Sequence, residues 1–281
     1  MYNYSNTNFV LAGRLLEVCT GDYYRPYMDS SVLGPLGLTR TTFDTETVSS
    51  DGNYAMGITR VWPGAEGTEK VVDAETYAAS HLWPGMGAWS TVRDIGRLAE
   101  FWMAGDATVL PDALHTEMAS EQVDRQTGEA NVAYGYGLEV RTGVNLSDGH
   151  YPVRMVSHGG QLWGYGTFVY TFPDLGVGVV VVVNREYLFP MRTVEAALEL
   201  SSFVEPIESP TPPADPATFP ELAGTYTHDV VMGDFIFTVV DDHLEVSIPS
   251  LEADGVPYTP RLTAVRPDNF QLESNGQVYD L

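Results

Sequence analysis

The spacing of apolar residues predicts a helix near the start of the chain. Its apolar positions recur at i, i+4 and i+7, which places them on one helical face. Asn6 or Thr7 can cap its start, and Gly21 stands where helices commonly end. The residues on this face are Leu11, Leu15 and Val18.

The same criteria predict four more helices. Thr91 and Asp94 have the spacing of a capping box, which opens an amphipathic helix extending to about Met103. Another helix begins with Pro111 at an early position, where proline is tolerated. The predicted ranges are 24–32, 91–103, 111–118 and 191–203.

Strand patterns fill the segment before the last of these helices. They cover residues 135–140, 153–157, 166–172 and 176–183. The turn residues 173–176 predict that the last two strands form an antiparallel hairpin. Residues 179–183 are all valine, so we expect that strand to be covered on both faces, with the helix at 191–203 as one cover.

Composition divides the chain into domains. Residues 49–89 are glycine-rich and irregular, which is typical of the walls of a site. Residues 205–220 contain six prolines and predict a stiff linker between a first domain, 1–204, and a second, 221–281. The short alternating strands of the second predict a small all-β domain, part of a barrel that the chain does not complete.

Acidic residues greatly outnumber basic ones. The 281 residues carry 38 Asp and Glu against 14 Lys and Arg, a formal net charge of -24, and the only lysine is Lys70. At molar salt the Debye length falls to ~3 Å, so carboxylates hydrate the surface with little mutual repulsion. The composition favours a salt-adapted protein over an ordinary acidic one. It argues against binding of nucleic acid or anionic membranes.

Several common features are not indicated by the sequence. Cys19 is the only cysteine, which excludes an intrachain disulfide and a multi-cysteine metal site. No two histidines have the i, i+4 spacing of a zincin, and no Gly-x-Ser-x-Gly elbow occurs. The longest apolar run is far below the ~20 residues of a spanning helix, and the first residues do not resemble a secretory signal. We therefore expect no metal, no other cofactor and no transmembrane segment.

Two short segments place polar groups at the end of a regular element. Tyr4-Ser5-Asn6 precedes the first helix, and Ser157-His158-Gly159-Gly160 ends a strand. Alone, a tyrosine at a helix start is more often a packed aromatic, and His-Gly-Gly is more often a bend. Together, their order and separation match a known arrangement.

This combination resembles the serine β-lactamase and penicillin-binding-protein family, in the class C-like branch that includes esterases and D-amino-acid peptidases. The Tyr4-Ser5-Asn6 segment is similar to the family's Tyr-x-Asn motif, and residues 34–43 are similar to its Pro-Leu-Gly-Met-x-x-Thr segment. His158-Gly159-Gly160 stands where the family has Lys-Thr-Gly or His-x-Gly. The resemblance covers residues 2–203. It implies an α+β fold, an antiparallel sheet flanked by helices, and some members also carry a lipocalin-like barrel.

The resemblance also implies roles for individual residues. Tyr4 would share the general-base role with the lysine of the family's Ser-x-x-Lys motif. Asn6 would hydrogen-bond the amide or ester of a small substrate or peptide, and His158 would donate toward Tyr4 or a substrate carboxylate. Gly160 would belong to the substrate-binding strand, and the N–H of Gln161 would form one arm of the oxyanion hole.

The chain departs from the family pattern at the nucleophile. Ser-x-x-Lys requires a lysine, and Lys70 has Gly67 three residues before it. In the family that motif precedes Tyr-x-Asn, so we expect this chain to lack the N-terminal part of the domain and its first strands. The remaining sheet would then expose an unpaired edge and an apolar face.

Three functions are compatible with these features. The favoured one is a fragment of a serine acyl hydrolase acting through an acyl-enzyme, inactive alone because it lacks the nucleophile. The second is a non-catalytic ligand-binding relative, and the third is a β-lactamase proper, which the histidine at position 158 argues against. Family resemblance implies an extracytoplasmic or secreted protein.

Overall fold

The computed structural model describes residues 2–60, 69–72, 84–125, 132–146, 149–185, 193, 197, 204–207, 214–228, 233–266, 269–274 and 277–281. The described residues up to 207 form one compact unit, and those from 214 onward form a second. The first unit combines helices with an antiparallel sheet and the second is built on another sheet, so the predicted fold class is confirmed. No helix in the described ranges is long and apolar enough to cross a membrane.

The first helix, α1 (Asn6–Thr20), has the extent that its apolar spacing predicts. Ser5 is extended (φ -149) and is the capping position, one residue earlier than the predicted Asn6 or Thr7. The helix ends where Gly21 adopts a left-handed conformation (φ 80). The apolar face predicted for this helix is largely exposed to solvent. Its exposed fractions are 63% for Leu11, 63% for Leu15 and 68% for Val18.

The remaining helices of the first unit follow the predicted positions, with one addition. The segment predicted at 24–32 is a short helix followed by a π-helical turn, and α3 was not expected from the apolar pattern. The elements are α2 (Tyr24–Met28), the turn Asp29–Leu33, α3 (Thr45–Asp51), α4 (Val92–Ala104) and α5 (Asp112–Met118).

A buried carboxylate attaches α4 to the segment around Arg40. Thr91 caps the helix by accepting a hydrogen bond from the backbone N–H of Asp94. The Asp94 carboxylate accepts from the backbone N–H of Arg40 at 2.7 Å and from the Thr41 hydroxyl at 3.0 Å. Oδ2 of this almost completely buried side chain therefore accepts two hydrogen bonds.

The described residues of the first unit form ten strands. Two pairs form small two-stranded ladders, and the other six form one antiparallel sheet. The strands are β1 (Gly57–Arg60), β2 (Glu69–Val72), β3 (Val123–Asp124), β4 (Val132–Tyr134), β5 (Glu139–Arg141), β6 (Val144–Leu146), β7 (Gly149–Tyr151), β8 (Met155–Leu162), β9 (Tyr165–Phe172) and β10 (Val177–Val183).

The six-stranded sheet has the order β10-β9-β8-β5-β4-β3. As predicted, β9 and β10 form an antiparallel hairpin through the turn that contains Gly176 (φ 66). Helix α4 packs on β10, where a Cβ at Gly178 would lie 3.5 Å from Met103 and 3.6 Å from Ala99. Buried side chains from β7, β8 and β9 form part of the core: Tyr151, Met155 and Phe172.

Three details of the predicted strands differ in the structure. Of the strand expected at 135–140, only Glu139 and Val140 are in a strand, because Gly137 adopts a left-handed conformation (φ 81) and the Gly135 N–H donates to the Leu138 carbonyl. The strand expected at 153–157 is β8, which begins at Met155 and continues to Leu162, so His158 lies within it and not at its end. The cover expected on both faces of β10 is not seen among the described residues, where Val182 is 44% exposed and β10 is the terminal strand of the sheet. Its predicted cover at 191–203 lies mostly outside the described residues, as does much of 49–89.

The second unit is a six-stranded antiparallel sheet in which every strand lies beside its neighbours in the chain. Two short helices accompany it, and Phe219 of the first is buried in the core with Leu244 and Ile248. The elements are α6 (Phe219–Leu222), β11 (Gly224–His228), β12 (Gly233–Val240), β13 (His243–Ser247), α7 (Pro249–Ala253), β14 (Tyr258–Arg266), β15 (Asn269–Ser274) and β16 (Gln277–Asp280).

Candidate active site

Three of the predicted site residues lie together in the first unit. Tyr4 precedes α1, and its hydroxyl donates to the Oδ1 of Asn6 at 3.1 Å. His158 lies in the middle of β8, and the centroid of its imidazole is 6.0 Å from the centroid of the Tyr4 ring. The start of α1 and the centre of the sheet therefore meet at these side chains.

The register of β8 determines the direction of its backbone groups. Leu162 and Tyr165 close the two-residue connection to β9, so they form a hydrogen-bonded pair. Because such pairs alternate along an antiparallel ladder, the N–H of Gln161 points away from β9. The residue pairs between β5 and β8 end at Ser157, so the Gln161 N–H lies further along β8 than the last of these pairs. A Cβ at Gly160 would meet no described atom within 4 Å, so the strand is open beside it.

One residue of the site was missed by sequence reasoning. Tyr134, the last residue of β4, places its hydroxyl 3.0 Å from the Nε2 of His158. Its ring lies edge-on to the Tyr4 ring at 6.2 Å and contacts the Tyr2 ring at 5.2 Å. The signal in the sequence is Tyr134-Gly135-Tyr136-Gly137, the start of the segment for which the pattern predicts only a strand at 135–140.

Burial keeps the titratable groups of the site uncharged. It raises the pKa of the Tyr4 hydroxyl and raises that of Tyr134 much further. It lowers the pKa of His158, although a hydrogen bond to the Gly159 backbone opposes this effect. At neutral pH the two phenols are therefore protonated and the imidazole is neutral.

Arg125 is the described cation beside this cluster. Its guanidinium lies 5.4 Å from the centre of the Tyr2 ring and is paired with Glu139, which also accepts from Arg141 at 2.7 Å. Burial raises the pKa values of Tyr2 and Tyr134 and lowers that of His158; the positive charge of Arg125 opposes the two rises and adds to the lowering. For Tyr4, the cause found among the described residues is burial, which raises its pKa.

The described residues bring no metal-binding group together. No set of three His, Cys, Asp or Glu side chains in those ranges is placed to hold an ion. The groups that the site does offer are phenols, an amide, a neutral imidazole and a strand edge. This set is suited to proton transfer and to hydrogen bonding of a carbonyl compound.

Comparison with known proteins identifies the family. The profile described as "Beta-lactamase" matches residues 1–202, which is most of the chain. The chain therefore belongs to the Beta-lactamase family.

Curated relatives match over the same region. The chain is 26% identical over 190 residues to the unguisins hydrolase ungD' of Aspergillus campestris and 25% identical over 198 residues to Beta-lactamase-like protein 2 of Dictyostelium discoideum. These matches cover 66% and 70% of this chain but 34% of each relative. The matched part thus spans about a third of the length of these relatives.

Solved structures share the fold. The octameric penicillin-binding protein homologue of Pyrococcus abyssi aligns over 100% of this chain and 60% of its own, with a TM-score of 0.63 and 20% identity. A D-amino acid amidase of Ochrobactrum anthropi aligns over 72% of this chain and 59% of its own, with a TM-score of 0.57 and 25% identity. The family thus includes hydrolases, among them a D-amino acid amidase.

Proposed function

We propose that this chain carries one part of the active site of a serine acyl hydrolase that works through an acyl-enzyme. The convergence of Tyr4, Asn6 and His158, which come from distant parts of the sequence, carries this proposal. In it, Tyr4 accepts the proton of a serine nucleophile and passes it to the leaving amine or alcohol. Water then hydrolyses the acyl ester and regenerates the serine.

The remaining residues bind the substrate. Asn6 hydrogen-bonds its amide or ester group, and His158 with Gly160 forms the strand surface beside which the acyl group lies. The backbone N–H of Gln161 points away from β9 and supplies one arm of the oxyanion hole. The second arm is the N–H of the nucleophile itself.

The protonation of Tyr4 supports a further part of the proposal. A phenol whose pKa is raised by burial is a poor base at neutral pH unless a nearby cation stabilises the phenolate. Lys70 cannot belong to a Ser-x-x-Lys pair, since residue 67 is glycine. We infer that the nucleophile and its lysine lie outside these 281 residues and that the chain alone is inactive.

The relatives suggest a substrate class. The 25% identity to the Ochrobactrum amidase favours a small amide, with esters and short peptides as related acyl donors. His158 is neutral and so provides no positive charge for a substrate carboxylate. This property argues against a β-lactam with its free carboxylate as the preferred substrate.

Acyl-enzyme trapping tests the proposal. A labelled fluorophosphonate and a labelled penicillin are applied to the 281-residue chain and to a form extended through the coding sequence upstream of Met1. We expect the fluorophosphonate to label only the extended form, at a serine within Ser-x-x-Lys. Labelling of the 281-residue chain would contradict the inferred absence of the nucleophile. A folded extended form that contains Ser-x-x-Lys but reacts with neither trap would favour the non-catalytic ligand-binding alternative.

A further inference from the structure

The hydrogen bond between Tyr134 and His158 joins two strands that are not neighbours. Tyr134 ends β4 and His158 lies in β8, with β5 between them in the sheet. The hydroxyl oxygen of Tyr134 and Nε2 of His158 are 3.0 Å apart, and the two rings are edge-on at 6.1 Å. The proposed mechanism assigns no role to this tyrosine.

The chemistry of the two groups determines which of them donates. Burial raises the pKa of Tyr134, so its hydroxyl retains a proton to give, and burial lowers the pKa of His158, so the ring is neutral. A neutral imidazole has one N–H donor and one nitrogen acceptor. Nε2 can therefore accept from Tyr134 only if the ring proton is on Nδ1.

The surroundings of the Tyr134 hydroxyl favour this tautomer. Within the described residues, Nε2 of His158 is its hydrogen-bond partner. In the opposite tautomer, Nε2–H would point at Tyr134, and the phenol proton would have no acceptor in the described part of the chain.

We propose that Tyr134 is a positioning residue that holds His158 as the Nδ1–H tautomer by donating a hydrogen bond to its Nε2. In this arrangement Nε2 is held by a residue of a different strand, which restrains the orientation of the imidazole. The proposal deepens the proposed function by assigning how His158 is held at the site. The hydrogen bond itself requires neither a nucleophile nor turnover.

Nuclear magnetic resonance of the imidazole nitrogens tests this directly in the 281-residue chain. The protein is labelled with ¹⁵N-histidine, and the signals of His158 are assigned by their loss in His158→Gln. At neutral pH we expect Nδ1 to have the chemical shift of a protonated nitrogen and Nε2 that of an unprotonated, hydrogen-bonded one. A protonated Nε2 in the unmodified chain would overturn the proposal, whatever the behaviour of any variant.

Tyr134→Phe removes the donor while keeping the ring. We expect the two His158 shifts to move toward each other as the Nε2–H tautomer becomes populated. We also expect the His158 pKa to rise, because a hydrogen-bond donor to Nε2 stabilises the neutral ring and this variant removes it. The described charged or titratable groups that face the His158 ring are Tyr4, Tyr134 and Arg125. Unchanged nitrogen shifts and an unchanged titration in a folded Tyr134→Phe variant would also overturn the proposal.

The matched control is Tyr136→Phe, two residues further along. That ring is 60% exposed, and its hydroxyl lies 3.4 Å from a Glu117 carboxylate oxygen rather than near His158. We expect the His158 signals to be the same in this variant as in the unmodified chain. The nitrogen shifts are measured without catalysis, so a failure of acyl-enzyme trapping would not alter them. The tautomer proposal and the proposed hydrolase function can therefore be rejected independently.

Discussion

At the scale of single residues, the protonated Tyr4 defines what the site still requires. Its hydroxyl donates to Asn6, and burial raises its pKa. In the proposed mechanism a cation from elsewhere therefore has to lower this pKa before the phenol can act as a base. In an active extended form, we expect Tyr4→Phe to lower kcat by about 10²-fold or more. Tyr136→Phe, which removes an exposed hydroxyl, is the matched control. An unchanged kcat in Tyr4→Phe would reject the general-base role.

A second tyrosine predicts how stability depends on alkaline pH. Burial against Phe43 and its neighbours raises the pKa of Tyr24 from 10.0 to about 12. Between these values the folded state retains a proton that the unfolded state has lost, so stability falls as pH rises through this window. We expect Tyr24→Phe to lessen this fall in urea unfolding measured at pH 9 to 11. Tyr23→Phe, which removes the hydroxyl of a 77% exposed side chain, is expected to leave the slope unchanged.

At the scale of elements, Asp94 holds α4 against the segment that precedes α3. Its Oδ2 accepts from the backbone N–H of Arg40 and the hydroxyl of Thr41, and truncation would remove the described partner of this part-buried N–H and leave the Thr41 hydroxyl with Ser90 alone. We expect Asp94→Ala to lower the free energy of unfolding by about 1–3 kcal/mol. Asp112→Ala, in the exposed first turn of α5, is expected to change it by less than ~0.5 kcal/mol. Equal effects of the two substitutions in urea unfolding would contradict the bridging role.

Local signals predicted most elements, and the failures arose from contacts between distant segments. The helix α1 and the β9–β10 hairpin follow from spacing and turn residues that act over a few positions. The exposed side chain of Val182 could not be predicted, because an all-valine strand has the same sequence whether it is central or terminal in a sheet. The turn at Gly137 was missed because Tyr136 before it and Leu138 and Val140 after it fit a continuous strand.

The same distinction applies to the site. Tyr4, Asn6 and His158 belong to short motifs, so a resemblance could single them out, and the structure brings them together. Tyr134 belongs to no such motif; its role arises from the strand order, which carries β4 to within one strand of β8. Partners formed by sheet topology are not encoded in any short segment of sequence.

At the scale of the whole molecule, the charge of -24 predicts a strong dependence of stability on salt. Repulsion among carboxylates extends over ~30 Å at 0.01 M salt and over ~3 Å at 1 M. We expect the Tm to rise when NaCl is increased between these concentrations at pH 7. As a control, the rise should shrink as the pH is lowered toward the isoelectric value of about 4.3. A Tm that does not change with salt at pH 7 would contradict a salt-adapted surface.

The strand order of the second unit also bears on how the chain folds. Each of its six strands pairs with a chain neighbour, so only short loops have to close, whereas β5 and β8 of the first unit pair across an intervening hairpin. All five tryptophans lie within the first 163 residues. We expect the first unit to fold more slowly, because its strands pair over longer separations. Stopped-flow fluorescence would follow the first unit alone, while far-ultraviolet circular dichroism would follow both. After dilution from urea, we expect part of the dichroism to return before the tryptophan signal.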